Sequence, residues 1–378
     1  ERMRANPRAS SRASGASLTR LVVITPPQVH RSHALLLQCL FANVAQPPSR
    51  RSVSPDDPVL PFDPARTTLY DRDELMSGFD GKDASTTLDQ RIQTYFDAWK
   101  SRRPRKLEDG LAQREHDYRI EVALQDLIDP PDAPAKRVVG IMGSHQMSRR
   151  LPIYREVCWL AWSVSPPQNH YMVLTGGGLG LMEAASLGAY LAPHPEASID
   201  EAIDLLGDKE DAAYILAADE LRARYPEHGD SLAVPTWSYS HEPISQFSSH
   251  IAKHFENSSR EEGLLAVATY GVIFTPGGAG TLQEIFQDAA QNTYWSFNWR
   301  SPMIFLGRRE FSEDFPAYQL LIARARADGY DDMVGLFDDV ADVVAFLEAS
   351  PPRPKPIDNP PPRTFGRAGP ALTTSEDK

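Results

Sequence analysis

Gly271-Val272-Ile273-Phe274-Thr275-Pro276-Gly277-Gly278-Ala279-Gly280-Thr281-Leu282-Gln283-Glu284 is the passage from which the fold is read. Its first five residues form a short apolar, β-branched run of the kind that makes a buried strand. The glycine cluster ends that run. From Thr281 the spacing changes, and residues 281–294 read as a helix. Strand, glycine turn and helix in this order are the repeating unit of an open parallel sheet.

The same order recurs upstream. Val138–Met142 runs into Gly143-Ser144, and Tyr171–Thr175 runs into Gly176-Gly177-Gly178-Leu179-Gly180. Ser231–Val234 and Pro302–Leu306 read as two more strands. Helical segments are expected near 150–163, 179–191, 243–268, 281–294 and 315–328, with a last one over about Val340–Glu348. The strand runs show no polar alternation, as expected of strands covered on both faces. The pattern predicts an α/β fold: a Rossmann-like doubly wound parallel sheet with an N-terminal helical extension.

The extension is read from two apolar stripes. Leu88, Ile92, Tyr95, Phe96 and Trp99 form one, and Ile120, Leu124, Leu127 and Ile128 form the other. Pro130-Pro131 then ends the helical region. The expected organisation is a disordered stretch over 1–60, helices over 61–130, the sheet domain over 131–350, and a disordered Pro-rich tail over 351–378. An acidic helical insertion is expected at about 193–230.

The chain has 378 residues and a formal net charge of −12, which argues against a nucleic-acid surface. Residues 1–51 carry eight Arg, no Lys and a single acid, Glu1, a composition shared by transit peptides and by plain disordered extensions. The apolar run Ala34–Ala45 is too short to span a bilayer. Cys39 and Cys158 have no metal-binding or disulfide-framework spacing, which fits a reducing cytoplasm. The histidines, His241 and His250 among them, lack metal-ligand spacing and read as hydrogen-bonded structural residues. Neither a metal nor a cofactor is expected.

Glycine lets a backbone N–H approach an anion with no Cβ in the way, and a following helix adds its positive N-terminal end. Three such turns after parallel strands suit a phosphate; plain tight turns are the alternative. A Walker A loop is excluded because no lysine follows Gly280, and the dinucleotide fingerprint fails because Glu183 occupies its third glycine position. Glu284, Gln287, Asp288 and Gln291 share one face of the helix after Gly280. They suit a sugar, whose oxocarbenium-like transition state a carboxylate stabilises. Equally, Thr281-x-x-Glu284 fits a capping box, and a polar face of this kind also fits a simply solvated one. Arg260, in a polar cluster running from His250 to Arg260 within the expected helix, suits a bidentate phosphate contact or a plain surface position.

Pro276-Gly277-Gly278-Ala279-Gly280-Thr281-Leu282-Gln283-Glu284 resembles the PGGxGTxxE signature of the Lonely Guy (LOG) family of phosphoribohydrolases. Gly176-Gly177-Gly178-Leu179-Gly180-Leu181-Met182-Glu183 is similar to that family's GGGxGLM segment, and Gly143-Ser144 to its first phosphate-side turn. The resemblance covers about residues 136–350. It implies hydrolysis of the N-glycosidic bond of a nucleoside 5′-monophosphate, either a cytokinin riboside or a purine or pyrimidine monophosphate, to free base and ribose 5-phosphate. It implies Glu284 and Arg260 as the catalytic pair. The implied substrate-binding set is Gly143, Ser144, Gly176, Gly177, Gly178, Gly180, Met182, Gly277, Gly278, Gly280, Thr281 and Asp288. A homodimer is implied as well, with Trp295, Phe297 and Trp299 serving either the interface or the core. Compact members lack the helices over 71–128 and the 193–230 insertion, so this chain resembles a longer, bacterial-type branch. A non-catalytic nucleotide or molybdenum-cofactor carrier of the same fold is the alternative function.

Overall fold

Past the exposed Arg137 that opens β1, the central strands are almost wholly apolar and lose nearly all solvent contact, which requires a layer of helices on each side. The computed structural model describes residues 60–166, 171–239 and 243–356. Seven strands form the main sheet: β1 (Arg137–Met142), β2 (Tyr171–Thr175), β3 (Ser231–Ala233), β4 (His250–Ile251), β5 (Val272–Phe274), β7 (Met303–Leu306) and β8 (Val334–Phe337). Their order is β4-β3-β2-β1-β5-β7-β8 and every pairing is parallel. Gly140 sits at the centre, opposite Leu174 on one side and Val272 on the other. The chain therefore starts mid-sheet, builds outward to β4, and returns across β1 to start β5. The strand order reverses between β1 and β5, and an open sheet forms its ligand crevice at such a reversal.

The helices sort by the same logic. Within the sheet domain, α4 (Pro152–Val164), α5 (Leu181–Leu191) and α11 (Val340–Ala349) pack together, while α8 (Asn257–Val267), α9 (Ala279–Tyr294) and α10 (Ala317–Asp328) form a second set. The expected insertion is helical, with α6 (Ala197–Leu206) and α7 (Asp211–Arg224) inside it. Ahead of the sheet come a single turn, α1 (Arg72–Leu75), and two longer helices, α2 (Leu88–Ser101) and α3 (Leu107–Ile128). Among the described residues no helix is long and apolar enough to cross a membrane. Cys158 is free and buried, while Cys39 and His241 lie outside the described residues.

Two local expectations are revised, one further strand appears, and two of the aromatics after α9 are placed. The segment 243–268 is not one helix. It contains β4, and only Asn257 onward is helical, so His250, Lys253 and His254 lie outside α8. Tertiary pairing overrides local pattern here: His250 pairs with Leu232 on β3, and Ile251 exchanges backbone bonds with Tyr70. The four-residue strand β8 was not anticipated from so short a run. The tail begins in order, with β9 (Arg353–Pro354) pairing antiparallel to β6 (Trp299–Arg300), and residues beyond 356 lie outside the described set. Of the aromatics after α9, Trp295 is buried under the Arg300 guanidinium, whereas Trp299 is partly exposed.

The N-terminal helices share a core with the sheet. Phe62, Tyr70, Phe96, His116, Trp237 and Phe255 form one aromatic cluster. Offset and edge contacts of this kind add about 0.5–1.5 kcal/mol per pair beyond the buried area. Polar atoms inside it are matched. Tyr70 Oη and His116 Nε2 lie 2.8 Å apart, and Asp89 accepts from Trp237 Nε1 at 2.9 Å and from Lys253 Nζ at 2.7 Å.

His254 lies beneath this cluster, where desolvation by burial lowers its pKa from 6.5 to about 4. The unfolded imidazole binds a proton below about 6.5, and the folded one does so only near 4. Stability is therefore lost as pH falls through that interval, by up to about 3 kcal/mol. Urea midpoints measured between pH 7 and 4 are expected to decline, and His254→Gln should flatten the decline. An identical slope in the variant would contradict this assignment.

Candidate functional site

β2, β1 and β5 are neighbours, so the three glycine turns leave the sheet side by side at its carboxyl edge. Backbone bonds tie them together: Ser144 N donates to Pro276 O at 3.0 Å, and Leu181 N donates to Ser144 O at 2.8 Å. This closeness explains two of the glycines. A Cβ on Gly143 would stand 2.0 Å from Thr275 Oγ1, and one on Gly180, whose φ is +63°, would stand 2.3 Å from Ser144 O. Any other residue would push the turns apart.

Two helices start from these turns with no side chain capping them. Gly180 precedes α5, and Gly278 precedes α9. Thr281 is the third residue inside α9 and lies against Gly277, so the capping-box reading of Thr281 and Glu284 does not hold. Gly278, Ala279 and Gly280 are exposed, and the first-turn N–H groups of α9 have no intrahelical acceptor. With the helix dipole behind them, such an end is electrostatically suited to an anion. Gly176, Gly177, Gly178 and Met182 are buried around the β2 turn, while Gly143 and Ser144 are half-buried.

Glu284 and Arg260 meet across this edge. Arg260 Nη1 lies 4.0 Å from Glu284 Oε1, and both side chains are almost fully buried. Arg260 is fixed by strand ends: its Nε donates to Val234 O at 2.6 Å, its Nη2 to Gly176 O at 3.2 Å, and its Nη1 to Glu261. The guanidinium is thus engaged by protein groups on several sides, a geometry suited to holding Glu284 in place. Asp288 follows Glu284 by one helical turn and is 2% exposed. Its Oδ2 has no hydrogen-bond partner, and burial pushes its carboxyl well above the ordinary range.

Sequence reasoning missed the groups that aim these residues. Asp117, on α3, accepts from Phe255 N at 2.9 Å and from Glu256 N at 2.9 Å, directly ahead of the helix that carries Arg260. No local pattern distinguishes this aspartate from a solvated one, because its partners lie 138 and 139 residues away. Glu183, which broke the dinucleotide fingerprint, is fully buried. It accepts from Arg149 Nε at 2.6 Å and Nη2 at 2.9 Å, and from the Tyr154 hydroxyl at 2.5 Å. This pair pins the segment after Ser144 onto α5.

No family model matches the chain. No curated protein matches it either. Among solved structures, it is similar to the molybdenum cofactor binding protein from the phototrophic bacterium Rippkaea orientalis, with 16% identity and a TM-score of 0.36 over 57% of this chain and 98% of that one. The molybdenum cofactor carrier protein from Chlamydomonas reinhardtii aligns with 16% identity and a TM-score of 0.35 over 57% and 97%. A structural-genomics target, TM1055, aligns with 20% identity and a TM-score of 0.36 over 57% and 99%.

Replacing Asp117 by Ala leaves one buried and one part-buried N–H donor without this acceptor, at up to about 1–3 kcal/mol each. The expected loss, read from urea denaturation, is about 2–4 kcal/mol. A change under about 0.5 kcal/mol, the usual size for an uninvolved surface position, would contradict the clamp.

Proposed function

We propose that the chain hydrolyses the N-glycosidic bond of a nucleoside 5′-monophosphate, giving free base and ribose 5-phosphate. One observation carries this reading: a buried glutamate one turn inside α9, 4.0 Å from a fixed arginine, directly behind an uncapped helix start among three adjacent glycine turns. The likeness of Gly277–Glu284 and Gly176–Met182 to the LOG motifs supports it.

In this reading the 5′-phosphate rests on the amides at the start of α9 and on the turns at Gly143 and Gly176. Thr281 contributes its hydroxyl. The C1′–N bond breaks with its electron pair leaving on the base nitrogen, which takes a proton from solvent as the free base departs. Positive charge develops on the sugar, and the Glu284 carboxylate stabilises it and takes a proton from the water that adds to C1′. Arg260 orients Glu284 from the ends of β2 and β3. Asp288, whose burial favours the protonated form, supports the same helix face. A homodimer and a cytoplasmic setting belong to the same proposal.

Incubation with AMP, GMP, CMP and UMP, followed by chromatography of the released base, tests it. Base release is expected from at least one nucleotide, with kcat reduced by about 10²–10³ in Glu284→Gln. Tight binding of intact nucleotide, unaffected by Glu284→Gln, would instead establish a carrier.

A further inference from the structure

One well-formed cavity among the described residues is lined by neither Arg260 nor Glu284. It measures about 420 Å³ and lies between the Gly180 turn, the segment following Ser144, the start of α2 and the loop joining α6 to α7. This is within the range of pockets that enclose a small organic ligand, roughly 300–1,000 Å³. Two of its walls, α2 and the α6–α7 loop, come from the N-terminal layer and the insertion.

The lining selects against an anion. Asp89, Asp208, Glu210 and Asp211 contribute to it, Asp89 paired with Lys253 and Asp208 with Arg150. Its two cations are already committed. Arg149 is held by both oxygens of Glu183 and by the carbonyls of Gly207 and Lys209, and Lys209 donates to Leu205 O. The remaining features suit a neutral, flat, hydrogen-bonding ring. Met76, Met147, Leu179 and Ile244 supply apolar surface, and the carboxamides of Gln90 and Gln146 line the wall. A carboxamide offers a donor and an acceptor side by side, which matches the N6/N7 edge of adenine.

We propose that this cavity receives the base of the nucleotide, an aminopurine, with Gln90 and Gln146 reading its edge and the methionines against its faces. The inference rests on the nucleotide reading of the glycine crevice. The two sites share one loop. Gly176 O accepts from Arg260, and Leu179, three residues on, lines the cavity, a separation of at most about 11 Å along the chain. In this proposal one nucleotide lies along the shared loop, with its phosphate at the turns and its base in the cavity. The added helices then set base preference, and the glycine turns bind what all nucleotides share.

The test compares the full chain with Gln90→Ala and Met147→Trp, each checked for an unchanged melting temperature. Expected for Gln90→Ala is a KM for AMP raised about tenfold, kcat within about twofold, and a flattened preference among AMP, GMP, CMP and UMP. Met147→Trp, which fills the cavity, should raise KM for AMP more than that. Unchanged KM and base preference in both variants would overturn the proposal. Calorimetry with adenosine, which lacks the phosphate, separates this from the catalytic reading. If wild type releases no base, the hydrolytic reading fails on its own. Adenosine binding weakened about tenfold by Gln90→Ala would still support the cavity assignment. Equal binding by all three proteins, or none by wild type, would overturn it.

Discussion

Backbone amides converge on one anion only where no side chain stands between them, and that constraint governs the carboxyl edge of this sheet. β2, β1 and β5 lie side by side, and their turns approach so closely that a Cβ at Gly143 or Gly180 would collide with its neighbour. The bonds from Ser144 to Pro276 and from Leu181 to Ser144 fix that approach. Two helices then begin without side-chain caps. The Leu181 amide at the start of α5 is taken by Ser144 O, while the amides opening α9 meet no side-chain cap because Gly278 carries nothing that could accept. A Ser or Asp at that position would bond those amides itself.

The sheet alone does not position the acidic residue behind that edge. Arg260 reaches the ends of β2 and β3 through Gly176 O and Val234 O and lies against Glu284. The passage from β3 to the helix bearing Arg260 is in turn held by the N-terminal layer. Asp117 takes the N–H groups of Phe255 and Glu256, and Asp89 takes Lys253 and the Trp237 indole. These charged groups are buried but matched, which is the condition under which they are tolerated and in which losing one partner is costly. The N-terminal helices thus belong to the same cooperative unit as the site.

Much of this was legible in the sequence because it depends on local chemistry. Continuous apolar runs such as Val138–Met142 ended in glycine, and that pattern fixes both a doubly covered strand and the turn after it. What was not legible depends on distant partners. His250-Ile251 reads as helix until β3 and Tyr70 claim it as a strand. Thr281 and Glu284 match a capping box, yet α9 starts earlier, at Ala279, so the hydroxyl sits inside the helix and not before it. Arg260 could be singled out, but not its inward orientation, which needs Val234 and Gly176 across the sheet edge. Asp117 carries no local signal at all.

The most direct test of the central claim is a crystal structure of the chain with AMP bound. The phosphate is expected within hydrogen-bond distance of the backbone amides at the start of α9 and beside Ser144, with the Glu284 carboxylate facing the ribose. A phosphate bound elsewhere, or a Glu284 carboxylate turned away from the sugar, would contradict it.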